Sequence, residues 1–188
     1  MTTEESLNRL KEGNARFVAD QLDRKLKYDT IRVGLINEQQ PFAVILGCSD
    51  SRIVPELMFD ASLGEIFVVR VAGNVANTSS IASIEYAVSH LNTKLVVVLG
   101  HQNCGAVTAA VAGGSYGQNI KHLLSHIHPA IYALKKGSSI NKIAKKNVEL
   151  TIEELKSKSK IIKNAVNNGD TKIVAAYYRL DTGKVDFF

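Results

Sequence analysis

Short apolar runs along the chain predict its β-strands. Three of them are FAVILG at 42–47, EIFVVRVAG at 65–73 and KLVVVLG at 94–100. Val and Ile dominate these runs and few polar residues interrupt them, which is typical of strands buried on both faces of a parallel sheet. A fourth run, KIVAAYYRL, and the tail KVDFF on either side of a turn at Asp181–Gly183 predict a closing strand with a β-like end.

Apolar residues at helical spacing predict the elements between and around these strands. One helix over 79–91 joins the second and third strands and completes a βαβ crossover. The other predicted helices are 3–19 with Thr3 as N-cap, a helix from Cys104 to the glycines at Gly113–Gly114, and 119–136 and 141–167, which are separated at Gly137.

We predict a single domain over residues 1–188. A chain of 188 residues with 45% hydrophobic content is long enough for one core and short for two. The order of strands and helices predicts an α/β fold, with a mainly parallel central β-sheet flanked by helices. We expect an N-terminal helical arm at 1–35 and an α/β core at 36–188.

The positive charge is concentrated in one region. The net charge is +5, and ten lysines against four acidic residues fall within 135–172, where they form the solvent face of the predicted helices. No aromatic residues alternate with these lysines, so we expect no nucleic-acid partner. No membrane partner is expected either, because no run of about 18 apolar residues occurs.

The N-terminus MTTEESLNRLKEGNARF is charged and lacks the apolar segment of a signal peptide. We therefore expect a cytoplasmic protein, or a periplasmic one if a leader preceding this sequence is removed.

Two cysteines and one histidine lie at the ends of predicted strands. Cys48 directly follows the first strand, His101 follows the third, and HQNC places Cys104 three residues further on. Because parallel strands end at the same edge of a sheet, these side chains converge if the first and third strands are neighbours. Two thiolates and one imidazole with an open fourth position are typical of a catalytic zinc site.

Other interpretations of these residues stay open. Cys48 and Cys104 are also compatible with a disulfide, or with ordinary small buried residues beside a turn histidine. A fourth, structural ligand would come from another histidine, namely His90, His122, His126 or His128. No carboxylate accompanies the His122–His126 pair at HExxH spacing, so we interpret these as surface or interface histidines.

Asp50 and Arg52 follow Cys48 at alternate positions. A zinc ion with two thiolate ligands acidifies its water less than an all-histidine site, so a nearby proton acceptor becomes useful, and Asp50 is close enough to be one. Arg52 is placed to hold Asp50 through a bidentate ion pair. The alternative is a salt bridge at the surface or between subunits.

CSDSR at 48–52 and GHQNCGAV at 100–107 resemble the β-class carbonic anhydrases, zinc enzymes that interconvert carbon dioxide and bicarbonate. The similarity extends over almost the whole chain. It implies one zinc ion per subunit on Cys48, His101 and Cys104, within the core at 36–188. It also implies that zinc-bound hydroxide attacks carbon dioxide, while Asp50, paired with Arg52, accepts a hydrogen bond from it.

The resemblance also implies a substrate site. Gln39, nine residues before the first ligand, orients an oxygen of the substrate or product. The matching pocket residues are Phe67, Ala72, Tyr86 and the backbone of Gly105, and Ala72 stands where a larger aliphatic residue is often found.

Family members place this site at a dimer interface, where the partner supplies the glutamine and aromatic groups. We therefore expect a homodimer or homotetramer, with residues 3–19 packing onto the neighbouring subunit. Ile45 stands where members with a closed, bicarbonate-stabilised state have tryptophan. With Gln39, it predicts the open subgroup, in which Asp50 stays paired to Arg52.

Two other functions are compatible with these motifs. One is an enzyme of the same fold and metal site that acts on another small linear substrate, such as carbon disulfide. The other is a non-catalytic, zinc-stabilised interaction domain, in which the aspartate and arginine form only an interface salt bridge.

Overall fold

The computed structural model describes residues 1–23 and 28–188. The predicted arm at 1–35 contains the helices α1 (Thr3–Val18) and α2 (Tyr28–Gly34), and its residues 24–27 lie outside the described part. The N-cap of α1 is Thr2, not Thr3 as predicted. The Thr2 hydroxyl accepts a hydrogen bond from the Glu5 N–H at 3.2 Å, and the Glu5 carboxylate accepts one from the Thr2 N–H at 2.6 Å, which completes a capping box.

A five-stranded sheet forms the centre of the fold. Its strands are β1 (Ala43–Gly47), β2 (Ile66–Arg70), β3 (Leu95–His101), β4 (Lys172–Tyr178) and β5 (Val185–Phe187). The spatial order is β2-β1-β3-β4-β5, and all neighbours are parallel except β4 and β5, which form the antiparallel end. The first and third strands are therefore neighbours, with Gly47 opposite Leu99.

The prediction that the first three strands are buried on both faces is wrong for β2. Every residue of β1 and β3 is buried, whereas β2 is partly exposed along its length and ends at the exposed Arg70. The reason is position, because β2 lies at the edge of the sheet and β1 and β3 lie inside it.

Helices cover both faces of the sheet. Those after α2 are α3 (Pro55–Met58), α4 (Thr78–Ser89), α5 (Gly105–Ala112), α6 (Gln118–Ser125), α7 (His128–Tyr132), α8 (Ile140–Lys158) and α9 (Lys160–Asn167). Within the described residues, no helix is both long and apolar enough to cross a membrane.

Two of the long predicted helices are each divided in two. The helix predicted at 119–136 breaks between α6 and α7, where Pro129 occupies the first turn of α7. The one predicted at 141–167 breaks at Ser159, whose extended backbone ends α8 and whose hydroxyl caps the Ile162 N–H of α9 at 3.0 Å.

Alternate residues of the buried strands enter two apolar cores. On one face, Ile45 and Leu99 pack with Leu10 of α1, which is fully buried in its own chain. On the other face, Leu46 and Val98 pack against helices α4, α8 and α9. The predicted contact of residues 3–19 with a neighbouring subunit stays a prediction, since the apolar face of α1 covers its own core.

Helix α8 lies unusually close to β3 because the strand has a glycine at the contact. A Cβ atom at Gly100 would lie 2.5 Å from Val148 Cγ2 and 3.4 Å from the Ala144 carbonyl oxygen of α8. Gly100 immediately precedes His101, so this contact sets the distance of α8 from the end of the strand.

We expect Gly100→Ala to lower the free energy of unfolding by about 1–3 kcal/mol, because the added methyl overpacks the contact with Val148. Urea denaturation measures the change. Gly34→Ala is the matched control, because a Cβ at Gly34 has no neighbour within 4 Å. Equal unfolding free energies for Gly100→Ala and the unmodified chain would contradict the proposed close contact.

Candidate metal centre

The structure brings three potential metal ligands together at the carboxyl edge of the sheet. Cys48 directly follows β1, His101 is the last residue of β3, and Cys104 is the N-cap of α5. Their sulfur and ring-nitrogen atoms all lie within 4.8 Å of one another, and the three residues are 0–3% exposed. The predicted convergence of two strand ends is confirmed.

The turn between His101 and Cys104 is held from both sides. The Gln102 N–H donates to the Tyr178 carbonyl of β4 at 2.9 Å, and the Asn103 N–H donates to the side-chain oxygen of Asn141 on α8, also at 2.9 Å. Asn103 has a left-handed backbone, with φ of +52°, which an asparagine tolerates well. This turn gives Cys104 its direction toward His101.

The imidazole of His101 presents an unused nitrogen to the cluster. Its Nδ1–H donates to the Gln102 carbonyl at 3.0 Å, whereas Nε2 is buried without a hydrogen-bond partner among the described residues. A buried nitrogen without a partner is costly, and a hydrogen bond at the other ring nitrogen is the usual arrangement of a metal-ligating histidine. The donor set of Sγ, Sγ and Nε2 therefore fits a zinc ion.

Cys48 and Cys104 are free thiols whose pKa values are shifted in opposite directions. A hydrogen bond from the Cys104 thiol lowers the pKa of Cys48, with further help from His101 and from the Gly73 N–H, which donates to Cys48 Sγ at 3.3 Å. The same hydrogen bond raises the pKa of Cys104. Both cysteines are free, so the structure has no disulfide between them, and the lowered pKa of Cys48 favours its thiolate form.

Asp50 and Arg52 form the predicted bidentate pair beside the cluster. Arg52 Nε donates to Asp50 Oδ1 at 2.9 Å and Arg52 Nη2 donates to Oδ2 at 2.8 Å. Hydrogen bonding from Arg52 holds the pKa of the Asp50 carboxyl well below its usual range, and the same bond raises the pKa of Arg52. The Asp50 side chain is 14% exposed and that of Arg52 is 51% exposed.

Arg70 is a supporting residue that the sequence interpretation missed. From the end of β2, its Nε donates to the Cys48 carbonyl at 3.0 Å and its Nη2 donates to the Asp50 carbonyl at 2.7 Å. It therefore holds the backbone of the loop that carries a metal ligand and the aspartate. In the sequence, only the position of Arg70 at the end of a predicted strand, shortly before a glycine, pointed to a role at the site. The backbone carbonyls that it contacts cannot be identified from sequence alone.

The predicted substrate residues fall into two groups. Gly105 follows Cys104 directly and has open space beside its Cα, and Ala72 precedes Gly73, whose N–H reaches Cys48. Gln39 and Tyr86 instead line a cavity of about 1090 Å³ that none of the three ligands lines. Phe67 belongs with them, because its ring centroid is 6.4 Å from that of Tyr86.

Chain geometry separates Gln39 from the ligands. Gln39 precedes β1 and Cys48 follows it, so a five-residue strand of roughly 16 Å lies between them. In one chain, Gln39 is therefore remote from the cluster. Phe67 pairs with Val44 near the start of β1, and Tyr86 lies beside Phe67, so both lie toward the end of the sheet opposite the cluster. Their role in substrate binding stays a prediction that requires a second subunit.

The other histidines lie elsewhere. His126 Nδ1 is 3.4 Å from a carboxylate oxygen of Glu154, and its ring meets that of His122 edge-on at 5.3 Å. His90 stacks on Tyr86. Among residues 1–23 and 28–188, the only group of three or more potential metal ligands is Cys48, His101 and Cys104. A fourth protein ligand from these histidines is not present.

Comparisons with known proteins agree with this geometry. A family model described as carbonic anhydrase matches residues 43–185. Carbonic anhydrase 2 of Mycobacterium tuberculosis is 39% identical over 181 residues, covering 93% of this chain and 87% of that protein. The carbonic anhydrase of Mycolicibacterium smegmatis is 37% identical over 183 residues, covering 94% and 89%. The structure of the Coccomyxa β-carbonic anhydrase in complex with acetazolamide superposes with a TM-score of 0.77 at 26% identity, covering 96% and 85%.

Proposed function

The chain belongs to the β-carbonic anhydrase family and is a carbonic anhydrase, and from this premise we propose that it hydrates carbon dioxide reversibly with one zinc ion per subunit, bound by Cys48, His101 and Cys104. The observation that carries the proposal is the preformed, buried Cys-His-Cys cluster, in which His101 Nε2 has no hydrogen-bond partner within 1–23 and 28–188. Three protein ligands leave one position for water or substrate, as in catalytic zinc sites.

A zinc ion at this cluster supplies Lewis acidity, which produces a nucleophile from water near neutral pH. The protein supplies the remaining parts. Asp50 offers ionised carboxylate oxygens as hydrogen-bond acceptors, and the two hydrogen bonds from the Arg52 side chain help to fix their direction. The open space beside Gly105 and the small side chain of Ala72 leave room for a small substrate beside the ligands.

Metal analysis combined with a stopped-flow assay of carbon dioxide hydration tests the function. We expect one zinc per chain and rapid hydration that depends on the metal. Stoichiometric zinc without hydration would instead favour the non-catalytic, zinc-stabilised interaction domain. Turnover of carbon disulfide but not of carbon dioxide would favour the rival enzyme.

We further propose that the active unit is a homodimer or an assembly of dimers. Gln39, Phe67 and Tyr86 need a second chain if they are to meet a metal centre. Exposed apolar side chains surround their cavity, including Ile36 at 74%, Leu63 at 47% and Tyr86 at 47% exposure. Such a cluster on an edge of the sheet is typical of an interaction surface.

Mixing two inactive variants tests the shared site. In a heterodimer of Gln39→Ala and Cys104→Ser, one site has its own Cys104 and receives Gln39 from the partner, whereas the other site lacks both. We expect each variant alone to be severely impaired, and co-refolding to restore about a quarter of the wild-type sites if the chains pair at random in a two-fold dimer. Hydration assays on the mixture measure the recovery. No recovery despite verified heterodimers would contradict a shared site.

A cytoplasmic location remains our proposal for the compartment. It is supported by the need to keep Cys48 and Cys104 as free thiols, which a reducing compartment favours.

A further inference from the structure

We propose that Asn147 of α8 is a positioning residue for the metal centre, which acts on Cys48 through the backbone of Gly73. The proposal rests on the proposed ligation of zinc by Cys48. Asn147 is 2% exposed, and its Nδ2 donates to the Gly73 carbonyl oxygen at 2.9 Å. The N–H of the same glycine donates to Cys48 Sγ at 3.3 Å. A single residue, Gly73, therefore connects the Asn147 side chain to the proposed thiolate ligand Cys48 through hydrogen bonds.

Gly73 is held in a backbone conformation that allows both of these hydrogen bonds. It lies in the short 3₁₀ turn Ala72–Asn74 with φ of +73°, a left-handed backbone that glycine adopts at little cost. A Cβ at Gly73 would lie 2.8 Å from Ile127 Cδ1 and 3.3 Å from Ala106 Cβ. The residue is therefore enclosed on one side by apolar groups and anchored on its carbonyl side by Asn147, which leaves its N–H directed at Cys48.

Packing alone does not account for an asparagine at this place. The buried face of α8 is mostly apolar, and Val148 next to Asn147 contacts the sheet at Gly100. A buried amide is unfavourable unless it is hydrogen-bonded, and an apolar residue of the same size would avoid that cost. The hydrogen bond to Gly73 satisfies the amide, and its consequence is the orientation of an N–H toward a metal ligand.

An N–H···S hydrogen bond withdraws electron density from a thiolate and fixes its position. Residues that orient metal ligands in this way commonly contribute 10- to 100-fold to metal affinity. Loss of Asn147 frees the Gly73 carbonyl and loosens the turn, so the hydrogen bond to Cys48 weakens. Cys48 then becomes a stronger electron donor that is less well placed for the metal.

The test uses cobalt(II) in place of zinc, because sulfur-to-cobalt charge-transfer absorption reports on the thiolates directly. The variants are Asn147→Leu, which keeps the number and branching of the side-chain heavy atoms, and Asn147→Ala, which adds no bulk. We expect both to shift the charge-transfer band to longer wavelength and to lower cobalt affinity about 10- to 100-fold in competition with a chelator.

Asn14→Leu is the matched control. Asn14 is also a buried asparagine, at 6% exposure, and its Nδ2 donates to the carbonyls of Met58 at 3.1 Å and Gly183 at 2.9 Å. It lies on α1 on the other face of the sheet, so Asn14→Leu is expected to destabilise the fold while the cobalt spectrum stays unchanged.

Each outcome decides the proposal. A band shift and affinity loss in the Asn147 variants but not in Asn14→Leu support it. Unchanged spectra and affinities in folded Asn147 variants overturn it, as do equal losses in the control or failure of both Asn147 variants to fold, which mark a structural role. Failure of the unmodified chain to bind cobalt would overturn the proposed metal function itself, which separates the two ideas.

Discussion

Replacing Cys104 with serine is expected to remove most of the bound zinc and, with it, nearly all hydration activity. A serine hydroxyl is a far weaker zinc ligand than a thiolate, and Cys104 supplies one of only three protein donors in the cluster. The loss of affinity should exceed the roughly 10- to 100-fold that follows from removing a residue behind a ligand. Metal content after dialysis and stopped-flow hydration measure both effects.

Thr108→Val is a suitable control for Cys104→Ser. Thr108 lies one turn further along α5, and its hydroxyl donates to the Cys104 carbonyl at 3.0 Å. Its replacement alters the same helix without removing a donor atom from the cluster, so zinc should be retained. Full occupancy and activity in Cys104→Ser would show that Cys104 is not a ligand, and the proposed three-ligand site would be wrong.

Loss of zinc should also lower stability. Metal binding to a site that the unfolded chain lacks contributes to the free energy of folding. Because Cys48, His101 and Cys104 lie at the ends of β1 and β3 and at the start of α5, a metal bound to all three would connect elements that are separate in sequence. We expect chelation to lower the melting temperature of the unmodified chain and to have little effect on Cys104→Ser.

The parts of the fold that follow directly from local pattern were predicted well. β1 and β3 are continuous apolar runs, and their side-by-side pairing brings Cys48 and His101 together as expected. The error at β2 has a different origin, because an apolar run does not reveal whether its strand lies inside the sheet or at its edge. The sheet order is a long-range property that a single strand does not encode.

The remaining differences also depend on tertiary contacts. Ser159 interrupts a helical apolar pattern because its hydroxyl caps α9. The same hydroxyl donates a hydrogen bond to the Glu85 carboxylate at 2.5 Å. Arg70 and Asn147 act on backbone carbonyls, for which a sequence has no motif. Gln39 was assigned only through the family resemblance, and the proposed contact of Gln39 with substrate would involve a second chain that no pattern in one chain can place.

Arg52→Ala is expected to abolish most hydration activity while zinc stays bound. Arg52 is not one of the three ligands, and its side chain makes two hydrogen bonds to the Asp50 carboxylate, while its backbone N–H donates a third to Asp50 Oδ1 at 3.0 Å. Without the two side-chain bonds, only the backbone bond to Oδ1 holds the Asp50 carboxylate, so its orientation beside the cluster is less well fixed. A misplaced catalytic group commonly costs about 100-fold in rate. Arg52→Lys should recover little, because an ammonium group cannot form the planar bidentate pair.

The pH dependence of Arg52→Ala provides a second measurement. Hydrogen bonding from Arg52 is the main cause of the lowered pKa of Asp50. In the unmodified chain the ion pair is present at neutral pH and is lost only when the pH falls through that lowered pKa, whereas in Arg52→Ala the pKa of Asp50 returns toward its ordinary value. Below the pH at which the nucleophile itself is protonated, any activity left in the variant should therefore begin a second, steeper decline at a higher pH than activity of the unmodified chain.

Arg179→Ala is the control that separates the proposed catalytic role of the Asp50–Arg52 pair from the behaviour of an ordinary surface ion pair. Arg179 donates to Asp186 at 2.7 Å, and its side chain is 49% exposed, close to the 51% of Arg52. Exposed pairs contribute little to stability, so neither substitution should alter the unfolding transition much, and only Arg52→Ala should lose activity. If Arg52→Ala instead loses its dimer in step with its activity, measured by sedimentation at the assay concentration, the pair is an interface salt bridge and its role in positioning Asp50 is refuted.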